Sequence, residues 1–148
     1  MRTGSIGMVA AACLAGAVVG VAPMAAAQPA PGPQPLCSMT YPTPDNFEVS
    51  GLSEVQVTRN SNGSLGLTLV TDANSEGGYD QTFTASWANI DTGRSGNGDT
   101  KTWVQGHRTV LSIPEVRTEP GRIAFVFGTS NQLGQSVTTG QCHAEYAA

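Results

Sequence analysis

The middle of the chain alternates between apolar and polar residues. From Tyr79 to Trp87, every second side chain is apolar or aromatic, except that Gln81 interrupts the apolar side. A period of two, carried by β-branched and aromatic residues, is typical of an antiparallel strand with one buried face. Trp87 is the largest apolar side chain of this stretch, so we expect the hydrophobic core to form around it.

Short segments of the same kind recur along the chain, separated by clusters of turn-forming residues at 60–63, 74–78, 91–98 and 118–121. No stretch that follows the N-terminal leader has apolar residues spaced three and four apart over a useful length, so no helix is predicted. The predicted strands are Phe47–Ser50, Glu54–Thr58, Leu65–Val70, Gln81–Ala88, Lys101–Gln105, Thr109–Ile113, Arg122–Phe127 and Ser136–Cys142. This pattern predicts an all-β fold, an antiparallel immunoglobulin-like sandwich of seven or eight short strands.

Two turn segments resemble those of a known family. Residues 87–96, WANIDTGRSG, are similar to a W-x-N-x-x-T-G-x-x-G hairpin. Residues 117–123, RTEPGRI, are similar to a later T-G-x-G turn that precedes an apolar residue, with Glu119 at a glycine position. Both turns are features of small exported proteins from mycobacteria and their actinobacterial relatives. The resemblance implies an exported β-sandwich of mostly unassigned function, and it supplies no catalytic residues.

The first 27 residues are typical of a secretory signal peptide. A positive start is followed by small and apolar residues at 6–21 and by an alanine cleavage site at 25–27. We therefore expect cleavage after Ala27 and a secreted or envelope-associated protein.

The remaining chain has the size of one domain. Residues 28–36 contain four prolines, which predict an extended tail that acts as a spacer; a disordered N-terminus is the alternative. Residues 37–148 are then a single β-sandwich domain.

The charge balance of the mature chain is acidic. Cleavage removes one of the seven basic residues, Arg2, and none of the eleven acidic residues, which leaves a formal charge of −5. An acidic surface disfavours nucleic acid and anionic membrane surfaces as partners. We predict no cofactor and no membrane insertion once the leader is removed, and we expect a protein or a glycan as partner.

The mature chain carries two cysteines, Cys37 and Cys142. An even number of cysteines in an exported protein predicts a disulfide, which would join the start of the fold to its last strand. The alternative is a pair of free thiols or a metal pair without further ligands, and an oxidising medium disfavours it.

Asp91-Thr92-Gly93 is formally the active-site triplet of aspartic proteases, and it follows a predicted strand. Such enzymes share one proton between two carboxylates, so a chain with one triplet would have to pair with a second copy. The alternative is a hairpin loop in which the Asp91 side chain bonds to the backbone. Asn89 before the triplet and Arg94 after it favour the hairpin.

Metal binding has one candidate segment, Asp72–Asp80. It has oxygen-bearing residues at the first, third, fifth and ninth positions of a calcium loop and glycine at the sixth, but Phe83 stands where such loops have glutamate. A calcium site and an acidic, glycine-rich loop both remain open, and the loop is favoured. His107 and His143 lack a set of neighbours at metal-ligand spacing, so we expect both to be solvated.

Trp103 is the candidate for ligand contact. Between residues 99 and 105 it shares one strand face with Asp99, Lys101 and Gln105. If that face points outward, an exposed indole beside Lys101 marks a protein or sugar contact. Otherwise, the strand lies at an edge and Trp103 covers the end of the core.

The sequence thus predicts a non-enzymatic exported binding or cell-envelope protein. A carbohydrate-binding module, in which Tyr41 or Tyr146 would extend an aromatic surface from Trp103, is the alternative. An aspartic-protease-like hydrolase built around Asp91 is a remote third.

Overall fold

The computed structural model describes residues 32–148, which form two antiparallel sheets. The strands are β1 (Gln34–Pro42), β2 (Ser50–Arg59), β3 (Leu65–Asp72), β4 (Ser75–Asn89), β5 (Ser95–Gly106), β6 (Thr109–Val116), β7 (Arg122–Leu133) and β8 (Ser136–Ala147). The predicted antiparallel, all-β sandwich is confirmed, with eight strands. The predicted signal peptide and residues 28–31 of the predicted tail lie outside the described residues.

The two sheets have four strands each. The first has the order β1-β2-β3-β6, and the second has the order β5-β4-β7-β8. Contacts between β1 and β8 and between β5 and β6 join the two sheets along the two sides of the sandwich. The strand β5, which carries Trp103, is therefore an edge strand of the second sheet. No helix of residues 32–148 is long and apolar enough to cross a membrane.

The core lies between the sheets and is centred on three phenylalanines. Phe83, Phe125 and Phe127 are buried, and the ring of Phe127 lies 6.0 Å from that of Phe83 and 5.2 Å from that of Phe125. Trp87 is only partly buried, and its indole lies over Gly96 of the edge strand β5, where an added Cβ would be 2.6 Å from the ring. The expectation that the core forms around Trp87 is wrong, since the ring packs at the core margin.

The start of the fold also differs from the prediction. The predicted strand Phe47–Ser50 belongs mostly to a turn, which a hydrogen bond from the Thr43 N–H to the Val49 carbonyl closes at 2.8 Å. The first strand is β1, which begins at Gln34 inside the predicted proline-rich tail and pairs with β2. Proline lacks the N–H that a central strand needs, and β1 tolerates it because it is an edge strand.

The predicted disulfide between Cys37 and Cys142 is confirmed, and the two residues are 105 positions apart in the chain. Cys37 lies in β1 of the first sheet and Cys142 in β8 of the second, so the bond links the two sheets along one side. Disulfides persist in oxidising compartments, and this one is consistent with an extracellular protein.

The turns define two ends of the sandwich. The terminal end holds both ends of the described chain and the turns at 60–64, 90–94 and 117–121. The distal end holds the turns at 43–49, 73–74, 107–108 and 134–135.

Candidate functional site

Trp103 lies on the outer face of β5 and is 49% exposed. Its register partner on β4 is Asp80, whose carboxylate forms an ion pair with Lys101 (Nζ to Oδ2, 3.1 Å). The structure thus places Trp103 and Lys101 on one exposed face and adds Asp80 to them. We call Trp103, Lys101, Asp80 and Gly78 the Trp103 surface.

Gly78 positions the indole of Trp103. A Cβ added at Gly78 would lie 2.6 Å from the Trp103 Nε1 and 2.8 Å from its Cε2, so only a residue without a side chain admits the ring. Gly78 also has φ 77°, which glycine adopts at no steric cost. The backbone of β4 therefore supports one side of an indole that is still half exposed to solvent.

Hydroxyl and amide side chains surround the Trp103 surface. The strand register aligns the outward-facing residues of the second sheet in rows that cross β5, β4, β7 and β8. The row through Lys101 continues with Thr82, Ser130 and Thr139, and the row through Trp103 continues with Asp80, Gln132 and Val137. The hydroxyl groups of Thr82, Ser130 and Thr139 and the amide of Gln132 offer uncharged hydrogen-bond donors and acceptors beside the indole.

The two tyrosines considered as companions of Trp103 lie elsewhere. Tyr41 is 2% exposed, and its hydroxyl is 2.8 Å from the hydroxyl of Ser53 inside the sandwich. Tyr146 is partly buried and packs against the core. Neither extends an aromatic strip from Trp103 across the outer face of the sheet.

Asp91 lies in the β4–β5 hairpin at the terminal end and is held by Arg122. Its Oδ1 accepts hydrogen bonds from the guanidinium of Arg122 at 2.7 and 3.1 Å, and its Oδ2 accepts one from the Arg122 backbone N–H at 2.8 Å. These bonds hold the pKa of Asp91 below its ordinary value. The geometry agrees with the hairpin interpretation, although the backbone group that Asp91 binds belongs to β7 rather than to its own turn.

The cap of this hairpin is Asn89, a buried residue that no catalytic pattern singles out. Its Oδ1 accepts hydrogen bonds from the backbone N–H groups of Asp91 and Thr92, both at 3.0 Å, and its Nδ2 donates to the Glu119 carbonyl at 2.8 Å. Arg94 of the hairpin also forms an ion pair with the Glu119 carboxylate. The two turn segments that carry the family resemblance are therefore in contact with each other.

The calcium candidate Asp72–Asp80 is mostly strand. Asp72 ends β3 of the first sheet, residues 73–74 turn between the sheets, and Asp80 lies on β4, paired with Lys101. Within residues 32–148, no group of three or more His, Cys, Asp or Glu side chains could hold a metal ion. His107 and His143 are both exposed.

A chain of buried polar side chains crosses the core near the distal end, and sequence reasoning missed it. Gln81 donates to the Tyr41 hydroxyl (2.6 Å) and to the Asn131 Oδ1 (2.8 Å), and it accepts from the Thr71 hydroxyl (2.7 Å). Ser53 joins the hydroxyls of Tyr41 and Thr71 at 2.8 and 2.7 Å. We call these five residues the core network. Its only sequence signal was Gln81 on an otherwise apolar strand face.

Asp45 and Tyr79 lie beyond the core network toward the distal end. Burial acts to raise the pKa of Asp45, but hydrogen bonds from Ser75, Thr43 and backbone N–H groups outweigh it and lower the pKa. Burial raises the pKa of Tyr79, and the nearby Tyr41 hydroxyl and Asp45 carboxylate add to this effect. Because Asp45 contacts both Ser75 and Gly77, it fastens the 43–49 turn to the start of β4, next to Gly78.

No protein-family model, curated protein or solved structure matches this chain. The resemblance of the two turn segments to actinobacterial exported proteins stays a prediction. Function is therefore inferred from the geometry of the chain alone.

Proposed function

We propose that this protein is an exported, non-enzymatic binding domain of the cell envelope that contacts its partner through the Trp103 surface. The observation that carries the proposal is the half-exposed indole held against Gly78. A large aromatic side chain that is already fixed in position loses little conformational freedom on binding, and tryptophan is enriched among residues that dominate interfaces. Lys101 and Asp80 add charges of both signs beside the indole.

The contacts of Asp91, the one residue that matches a catalytic motif, support a non-enzymatic role. Asp91 is engaged by Arg122 through both carboxylate oxygens, which makes it a structural link between the β4–β5 hairpin and β7. A shared-proton dyad needs a carboxylate that is free to face a second one. The geometry therefore gives no support to the protease alternative.

A carbohydrate is the second candidate ligand. The hydroxyl and amide side chains in the rows beside Trp103 suit the hydroxyl groups of a sugar, and the indole provides an apolar face for its ring. A protein partner remains the first candidate because Trp103 has neither Tyr41 nor Tyr146 as an aromatic companion.

The proposal is tested by co-sedimentation of the purified protein with the envelope fraction of the producing cell. We expect Trp103→Ala to weaken binding about tenfold or more, as truncation of a central interface residue does. Ile90→Ala is the matched control, because Ile90 is a large exposed apolar residue in the β4–β5 hairpin at the other end of the sandwich. Equal binding of the two variants would contradict the proposal. Loss of binding after protease treatment of the envelope indicates a protein partner, and persistence indicates a glycan.

A second pair of variants tests the support under the indole. Gly78→Ala pushes a methyl group against Trp103, whereas Gly106→Ala adds one at a similar φ of 75° with no atom within 4 Å. Both variants carry the strain of a left-handed residue, so we expect only Gly78→Ala to shift Trp103 fluorescence and to weaken envelope binding. Equal behaviour of the two variants would show that the support has no part in binding.

A further inference from the structure

In the described part of the chain, the strand β5 has one edge without a hydrogen-bonded partner strand, although it also contacts β6 of the first sheet. One side of β5 pairs with β4, and no other strand of residues 32–148 pairs with its opposite side. It is 12 residues long and contains no proline. By contrast, β1 contains two prolines, β6 contains Pro114, and β8 is tied to β1 by the disulfide. An open strand edge exposes unpaired N–H and C=O groups that can bind another strand.

The outward side chains of β5 are self-complementary in charge. Asp99 and Lys101 both face outward, one residue on either side of Thr100. If two β5 strands pair antiparallel about Thr100, Asp99 of each copy stands directly opposite Lys101 of the other, at the separation where opposite charges attract. Asp99 forms no ion pair within residues 32–148, so its charge is available for this contact. Lys101 is paired with Asp80 of its own chain at 3.1 Å but is exposed, so in the dimer its ammonium group would lie between Asp80 and Asp99 of the second copy.

The same register leaves Trp103 accessible in the dimer. It places Trp103 opposite Asn97 of the second copy, a short polar side chain that leaves the indole accessible. The two Trp103 side chains would then lie on the same outer face, six residues apart along the paired strands, which is roughly 20 Å.

We propose that two copies of this chain pair antiparallel through β5, with a two-fold axis at Thr100, and form one continuous eight-stranded sheet. This isologous contact is the symmetry that most homodimers have. It presents two Trp103 surfaces side by side, which a partner with repeated sites can engage at once. The pairing is a property of the strand edge and holds whether or not Trp103 binds a ligand.

Sedimentation-velocity measurements of the purified protein over a range of concentrations test the pairing. We expect a reversible monomer–dimer equilibrium. Lys101→Glu sets like charges opposite each other twice in the dimer, so we expect dimerisation to weaken about tenfold or more. Asp99→Lys combined with Lys101→Glu exchanges the two charges and restores their complementarity, so we expect the dimer to return to within about threefold of the unchanged protein.

Arg108→Glu is the matched control, because it reverses one charge at an exposed residue outside β5. We expect it to leave dimerisation unchanged. Far-ultraviolet circular dichroism checks that each variant is folded. A protein that stays monomeric at all concentrations would overturn the proposal. The proposal would also be overturned if the double variant dimerised as weakly as Lys101→Glu, or if Arg108→Glu weakened dimerisation as much as Lys101→Glu does.

Discussion

The substitution Gln81→Leu tests whether the core network stabilises the fold. Leucine keeps the position apolar and similar in size, but it removes three hydrogen bonds of 2.6–2.8 Å. Tyr41 and Thr71 keep their bonds to Ser53, whereas the Asn131 Oδ1 loses the only side-chain donor that it has within residues 32–148.

The expected loss follows from these separate consequences. An orphaned buried acceptor costs about 1–3 kcal/mol, and each neutral hydrogen bond lost costs about 0.5–1.5 kcal/mol. Burial of the leucine side chain offsets part of this sum. We expect the free energy of unfolding to fall by about 2–4 kcal/mol.

Urea unfolding, monitored by tryptophan fluorescence, measures the free energy of unfolding. If its slope against urea concentration is the same in each variant, unfolding exposes the same surface area in each. Gln141→Leu is the matched control, since Gln141 is exposed on β8, and we expect a change within about 0.5 kcal/mol. In Gln81→Leu combined with Asn131→Leu, both partners are apolar, so the loss should be smaller than the sum of the two single losses. A loss below about 1 kcal/mol for Gln81→Leu would refute the reasoning, because the unpaired Asn131 acceptor alone should cost at least that much.

Three further predictions concern the links between elements. Replacing Cys37 and Cys142 by alanine should lower the free energy of unfolding by up to roughly 4.7 kcal/mol in urea, and a loss under about 1 kcal/mol would contradict a stabilising disulfide. Because the folded pKa of Asp91 lies below the ordinary 3.8, its stabilisation is present above that value and is lost as pH falls through the folded pKa. Asp91→Asn should therefore be less stable than the unchanged protein in urea at neutral pH but not in strong acid, and equal stability at neutral pH would contradict a stabilising contact with Arg122. Asn89→Ala should cost about 2–3 kcal/mol in thermal unfolding, because the cap bonds of a buried side chain are lost, and an unchanged midpoint would show that the hairpin needs no cap.

The strands that the sequence predicts well are those with one buried face. Leu65, Leu67 and Leu69 alternate with Gly66 and Thr68, and all three leucines are buried in β3. The strand β1 has no such pattern, because prolines and an edge position weaken the local signal while pairing with β2 still holds it in the sheet. Local patterns likewise could not rank Trp87 below the phenylalanines, since its place at the core margin depends on which strand lies beside β4.

Only part of the candidate site can be predicted from the sequence. Lys101 and Trp103 share a face because they are two residues apart in one strand, which alternation alone predicts. Asp80 and Gly78 join them only through the register between β4 and β5, and that register is set by tertiary pairing. The contact of Asp91 with Arg122 also spans 31 positions of the chain, so no local motif predicts it.

The placement of the disulfide has a mechanical consequence. A pulling force applied at Gln34 and Ala148 reaches Cys37 and Cys142 after only a few residues, and from there it passes through the covalent bond. The 105 positions between the two cysteines are thereby shielded from the load. Fully extended, they would lengthen the chain by roughly 370 Å, at about 3.5 Å per residue. A molecule anchored at both ends in a wall that stretches would therefore yield only its short terminal segments, until a reductant cut the bond and released the rest.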